Sequence, residues 1–335
     1  MHREDRSIEW PTILLLFITY GLFAVATTVV WDLAPILALL AATVAIAQFS
    51  SLQHEVLHGH PFASQPLSET LVFPGLTVFV PYLRFKDLHL QHHYDPNLTD
   101  PYDDPESNFQ DPELWSRRSW VSKALCSFNN TLAGRMLLGP AVSFWALVQA
   151  DGKAMMRGDW RVAQAWALHI PGVALVLTWL LTVGSMPVWA YLTAAYLGWS
   201  LLKIRTFLEH RAHETARGRS VVVESRGPLS LLFLNNNFHA VHHSQPNVAW
   251  YRLPQVYFTN RDHYLRRNDG YVYRNYTDVF RQFLFRAKDP VPHPIWPVAK
   301  LAGQQEPAGS DDPTEGWDIG GVVKERHSGL VVAPQ

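Results

Sequence analysis

Cysteine is almost missing from this chain: its 335 residues contain one, Cys126. An intrachain disulfide is therefore impossible, and a cysteine-ligated iron–sulfur or rubredoxin-type centre within the chain is excluded. Excess charge is missing too. The formal net charge is −1, which offers no electrostatic reason to bind nucleic acid. Lysine and arginine are wholly absent between Arg6 and Arg84, and again from Val162 to Leu202. Helices buried in a soluble protein would still show solvated cationic faces, so these tracts point to lipid. No haem-binding or flavin-binding segment is evident. No cleavable signal peptide is expected, because the first apolar run passes the usual signal length without a small-residue cleavage site.

What is present is long apolar runs set between very polar stretches, which the mean hydropathy of −0.05 averages away. Four runs, at about 10–31, 33–52, 163–183 and 188–205, are long enough to cross a bilayer. Short turns at 31–35 and 183–187 group them into two helical hairpins. The expected fold is an all-α integral membrane domain over residues 1–287, with a helical cap outside the membrane. Those turns contain no lysine or arginine, so the positive-inside rule places the N-terminus, the 84–161 segment and everything after Leu202 in the cytoplasm. A helix running from 33 to 60 would be roughly 40 Å long against a hydrocarbon core of about 30 Å, so its last turns would project beyond the lipid. Two weaker runs, 67–83 and 132–148, are broken by Pro74, Pro81, Arg135 and Pro140 and read as interfacial or partly re-entrant, or equally as short spans, which would have to be added as a pair to keep the parity. From 288 to 335 the chain crowds Pro290, Pro292, Pro294 and Pro297 and then turns Gly-, Ser- and acid-rich. That composition reads as a linker-like tail with a short docking segment near Trp317.

Histidine is where the chemistry concentrates. His54-x-x-x-His58, His89-x-x-His92-His93 and His239-x-x-His242-His243 each space their rings by three or four residues, one face of a helix. Eight neutral imidazoles exceed the four ligands of one tetrahedral zinc and suit two metals. By the parity of the hairpins, all three clusters lie on the cytoplasmic side. His60 falls two residues past His58, off that face, and reads as structural. His169, inside the third run, reads as a neutral side chain bonded to a backbone carbonyl.

The segments HEVLHGHP at 54–61, HLQHHYD at 89–95 and HAVHH at 239–243 resemble the histidine boxes of the membrane fatty acid desaturase and alkane hydroxylase superfamily. The Phe207-Leu-Glu-His210 stretch is similar to the extra histidine motif of its hydroxylase branch. The resemblance covers roughly 10–285. It implies a di-iron centre held by His54, His58, His89, His92, His93, His210, His239, His242 and His243, with His213 competing with His210 for the ninth place. It also implies oxygen-dependent attack on an unactivated C–H bond, two non-heme irons, and a lipid or aliphatic substrate.

Ligand rings need acceptors for their second N–H. The candidates beside the clusters are Glu55, Asp95, Asp100 and Glu209, with Asn235 four residues before His239. Capping a helix is the competing role for the asparagines at 235–237. The acidic, proline-studded loop 98–106 could cover the centre or simply be solvated. Electrons must come from outside, from a ferredoxin- or rubredoxin-type donor with its reductase. Arg261, Arg266, Arg267, Arg274, Arg281 and Arg286 offer a basic surface for it or for anionic lipid. Desaturation of a fatty acyl chain is the first reading, and hydroxylation of an alkane or small metabolite the second. A zinc-dependent membrane hydrolase would need only three ligands and a water.

Overall fold

The computed structural model describes residues 8–296. Among them the long helices are α1 (Trp10–Leu33), α2 (Pro35–Leu57), α3 (Tyr82–His92), α4 (Leu132–Met156), α5 (Trp160–Thr182) and α6 (Val188–Thr206), followed by the short α7 (His239–Ser244). Pro35 sits in the first turn of α2, where a missing N–H costs nothing. The Asp159 carboxylate caps α5 by accepting from the amides of Arg161 and Val162, and the Thr131 hydroxyl caps α4 by accepting from Gly134 N. The described strand structure is slight: Val222–Val223 pairs in parallel with Val272–Tyr273.

α2 is the hub, with α1 on one side and α6 on the other. The core these helices share is rich in small residues, with Ala38, Ala42 and Ala45 from α2 and Ala190 and Ala194 from α6, and Gly198 of α6 lies against Thr43, Ile46 and Ala47. A Cβ on Gly198 would stand 3.1 Å from Thr43 O and 3.3 Å from Ala47 N, so only glycine lets these backbones approach so closely. Phe23 of α1 meets the buried Tyr191 of α6 edge-on, with ring centroids 6.1 Å apart.

Among the described residues, four helices are long and apolar enough to cross a membrane: α1, α2, α4 and α5. This differs from the expected set in one member. The 188–205 run does form a helix, α6, but Tyr191, Thr193, Tyr196 and Ser200, with Lys203 and Arg205 in the last turns, dilute it. The 132–148 run, read as broken by Arg135 and Pro140, is instead one continuous helix of 25 residues. Both ends of α4 are tied to elements near the histidines. Thr131 bridges Ala287, while Asp151 accepts from Arg84 of α3 at 2.8 Å and from Trp166 Nε1 at 2.8 Å.

Residues 71–80 form an irregular segment that penetrates the bundle. Its polar backbone is served by the helices around it. Tyr20 donates to Leu71 O at 2.7 Å, Tyr191 to Leu76 O at 3.0 Å and His169 to Val78 O at 2.8 Å. The Gly75 amide donates to Gly172 O at 2.9 Å. A Cβ on Gly172 would lie 2.5 Å from Phe73 O, so glycine is what lets the segment sit against α5. Non-helical backbone is tolerated at such depth only where protein satisfies it. His169 thus bonds a carbonyl, as expected for it.

The two short turns meet at one end of the bundle. The amides of Ser185 and Met186 donate to Thr27 O, and Ser185 Oγ donates to Asp32 at 2.8 Å. The histidine clusters lie at the other end. The tail boundary at 288 needs correcting for its first residues. The Gln110 amide donates to Val291 O, the His293 amide donates to Gln110 O, and Lys288 Nζ donates to His210 O at 2.7 Å. Residues 288–296 are therefore packed into the fold. Positions 297–335, including the segment near Trp317, lie outside the described residues.

Candidate metal centre

All nine histidines expected as ligands converge. His54 and His58 stand on the last turn and C-cap of α2, which carries them past its apolar portion. His89, His92 and His93 end α3. His210 follows α6, and His239, His242 and His243 occupy α7. They sort into two groups of four, His54–His58–His89–His242 and His92–His210–His239–His243. Within each group the ligand-capable atoms lie within 4.8 Å of one another. His93 sits between them, its Nε2 3.0 Å from His89 Nε2 and its ring stacked on His243 at 4.3 Å.

The nitrogens are arranged for cations rather than for each other. His210 Nε2 is 2.9 Å from His92 Nε2 and 3.0 Å from His239 Nε2. His89 Nε2 is 2.9 Å from His54 Nε2 and 3.0 Å from His93 Nε2. One ring nitrogen carries either a proton or a lone pair, so it cannot satisfy two such neighbours by hydrogen bonding. A shared cation satisfies all of them. At a metal–nitrogen bond of about 2.1 Å, ligands at right angles stand about 3.0 Å apart and tetrahedral ligands about 3.4 Å apart. The observed separations match the right-angled case. In addition, the buried Nε2 atoms of His58 and His242 have no hydrogen-bond partner among the described residues, a cost that a metal bond removes.

Electrostatics favours neutral rings. Burial, reinforced by neighbouring imidazoles, holds His93, His210, His239 and His242 well below the ordinary histidine range. His92 runs the other way: burial opposes its charging, but Asp104 and Glu106 lift it to about 9.

The acceptors that orient the rings come partly from unexpected positions. His92 Nδ1 donates to Asp104 at 2.7 Å, and His89 Nδ1 donates to Glu106 at 2.8 Å. His239 Nδ1 donates to Asn236 Oδ1 at 3.2 Å, with Glu209 at 3.7 Å. Glu209 also pairs with Arg205 at 2.9 Å. Asp100, expected beside a ligand, instead accepts from the amides of Tyr102 and Asp103 and braces the loop. Glu55 and Asn235 do not hold histidines of the centre either. Glu55 accepts from Trp250 N at 2.9 Å and Asn235 Nδ2 donates to Trp250 O at 3.1 Å, so both clamp the same backbone. Asn235 has a left-handed φ of 55°, which turns it away from the face it would share with His239 in a helix. Asp95 lies in the helical turn Asp95–Asn97, and its side chain is outside the described atoms. His213 stands apart from the centre, beside Thr215 and 3.2 Å from Asp269. His60 pairs with Glu9 at 2.8 Å. The periodicity of the sequence could not select Asp104 or Glu106, because helical register says nothing about a loop.

A cavity of about 1800 Å³ reaches this centre at His210, Glu209 and Glu106 and extends between α2, α4 and α6 past Ile46, Leu147 and Trp199.

Comparison with known proteins agrees with this geometry. No curated protein matches the chain. The family model described as fatty acid desaturase matches residues 30–275, a span that includes every histidine of both groups. With four helices of membrane-crossing length and apolarity, the chain is an integral membrane protein that belongs to the fatty acid desaturase family.

Proposed function

We propose that this chain is a membrane-bound, non-heme di-iron oxidoreductase that uses oxygen and two electrons to desaturate an aliphatic, fatty acyl chain. The observation that carries the reading is the convergence of eight imidazoles into two four-ligand groups, with His93 between them, at the mouth of a cavity. A zinc hydrolase would leave most of them without a purpose.

In this reading His54, His58, His89 and His242 hold one iron, His92, His210, His239 and His243 hold the other, and His93 stands between them. When bound, the iron pair supplies the oxidising power needed to break an unactivated C–H bond. The protein does the rest. Asp104, Glu106 and Asn236 accept Nδ1–H and so fix the tautomer that aims each Nε2 lone pair inward. Ile46, Leu147 and Trp199 wall the cavity against water and position the chain. A second reading, hydroxylation of a small metabolite, is favoured by the polar groups on the same wall, Ser51, Gln53 and Ser143.

For the membrane we propose that α1, α2, α5 and α6 cross, while α4 lies along the interface. The tether of both α4 ends to the histidine side supports this. That side faces the cytoplasm by the charge rule, and in a bacterium the membrane would be the inner one. An external ferredoxin- or rubredoxin-type donor would dock on the basic surface near Arg266 and Arg267. Arg261 of that set is engaged by Glu224 at 2.6 Å. Reversing charge at Arg266 and Arg267 should slow reduction at low salt and not at high salt. Unchanged stopped-flow reduction would remove that surface from consideration.

The test of the whole reading is anaerobic reduction of the full chain followed by oxygen, with acyl lipids and small aliphatic compounds offered in parallel. Mass spectrometry separates unsaturated from hydroxylated products, and metal analysis counts iron. One zinc per chain and no oxygen consumption would refute it.

A further inference from the structure

Two basic side chains stand in the wall of the cavity with no carboxylate oxygen within salt-bridge distance among the described residues. Arg135 of α4 is 5% exposed. Its Nε donates to Asn129 O at 2.9 Å and its Nη1 donates to Asn108 Oδ1. Lys203 of α6 donates to Ser143 Oγ at 2.6 Å, with its Nζ 5.6 Å from the Trp199 ring centroid. The two side chains flank one spot, since a Cβ on Gly139 would touch Arg135 Cδ at 3.2 Å and Lys203 Cδ at 3.4 Å. Both line the cavity.

Several carboxylates lining that cavity have closer partners of their own. Asp151 is held by Arg84, Glu209 by Arg205, Asp104 by His92 and Glu106 by His89. Among the described residues none forms an ion pair with Arg135 or Lys203. Adjacent like charges in a poorly hydrated wall repel, and burying them is costly unless an anion compensates. Arg and Lys together also supply the planar fork and the point charge that carboxylates bind well.

We propose that Arg135 and Lys203 form the anion-binding end of the substrate site, and that the substrate is an aliphatic chain ending in a free carboxylate. This rests on the oxidase reading above and names its substrate class. Lys203 and Arg135 line the same cavity as His210, so an acid anchored at the basic pair lies in the space that reaches the metal end.

The test measures binding without turnover, using the full metal-loaded chain in nanodiscs and titration calorimetry. Octanoate is the probe, with octanamide as its neutral match and octyl phosphate as a further arm. Octanoate should bind at least about tenfold more tightly than octanamide, the scale of one charge-assisted hydrogen bond. Lys203→Met and Arg135→Gln should each remove that preference and leave octanamide affinity unchanged. Should Arg135→Gln fail to fold, Lys203→Met, facing the cavity, decides alone. No octanoate binding, equal affinity for octanamide, or an unaltered Lys203→Met variant would overturn the proposal. Tighter octyl phosphate would overturn its carboxylate. Because no oxidation is read, a failed oxidase reading shows instead as bound octanoate that yields no product on reduction and oxygenation.

Discussion

The two groups of four imidazoles are built by different means. The first takes His54 and His58 from the end of α2, a helix buried on nearly every side from Ala45 to Leu57. All four of its rings are buried, yet only His89 has a carboxylate behind it, and two Nε2 atoms have no hydrogen-bond partner among the described residues. The second takes His210 from a turn and His239 and His243 from a six-residue helix. Short elements cannot fix a ring by packing alone. There the rings lean on Asp104, on Asn236, and on Ser220 at 3.4 Å from His210. One metal position is thus set by helix packing and the other by a hydrogen-bonded collar that also borders the cavity.

The largest expected effects remove ligands. His58→Ala in the first group and His92→Ala in the second should each abolish turnover and lower iron content toward one ion per chain, whereas His213→Ala should do neither. If one substitution empties both positions, the groups are not separable and the contrast fails. Next come the acceptors. Asp104→Asn should weaken metal binding at the second position by about 10- to 100-fold, read by competition with a chelator, while leaving the first position filled. Asn236→Ala should have a smaller effect of the same kind, and Asn235→Ala should act through Trp250 on stability rather than on metal content. Equal metal loss from both asparagine variants would contradict the assignment of Asn236 to His239.

The smallest expected effect concerns the loop behind the second group. His293 bonds Thr99 Oγ1 at 3.2 Å through Nε2 and accepts Ile295 N at Nδ1. Burial, aided by Arg219, lowers its pKa to about 4. The folded state therefore holds it neutral, while the unfolded chain binds a proton below about 6.5. Stability should fall as pH drops below the unfolded value and level off near the folded one. His293→Gln should flatten that step in thermal melts, and an unchanged pH profile would show that His293 contributes nothing to it.

The gathering of the histidine clusters was legible because each repeats at helical spacing, and such spacing puts rings on one face whatever the tertiary fold. Glu209-His210 was legible only through resemblance, since it stands in a turn. The acceptors were half legible. An acidic loop beside the second cluster was visible, but its chemistry falls to Asp104 and Glu106 instead of Asp100, because turn hydrogen bonds consume the Asp100 carboxylate. α4 was misread for a related reason. Arg135 looked like an interruption, whereas its aliphatic stem packs on Gly139 and its guanidinium finds Asn129 O without breaking the helix. Packing of 288–296 was hidden by its prolines, which read as a linker yet leave the carbonyl of Val291 free to accept from Gln110.

The wedge at 71–80 has a consequence for how the polypeptide is made. Its carbonyls find donors on His169 and Tyr191, which the ribosome adds 91 to 116 positions later. Until those helices arrive, the wedge has unsatisfied groups and no favourable place in oil. It must wait at the headgroups or in water, and it enters only as the last two helices close around it. Assembly of this wall of the cavity is thereby a late event, and nascent chains halted before residue 169 should leave Thr77 open to aqueous labelling.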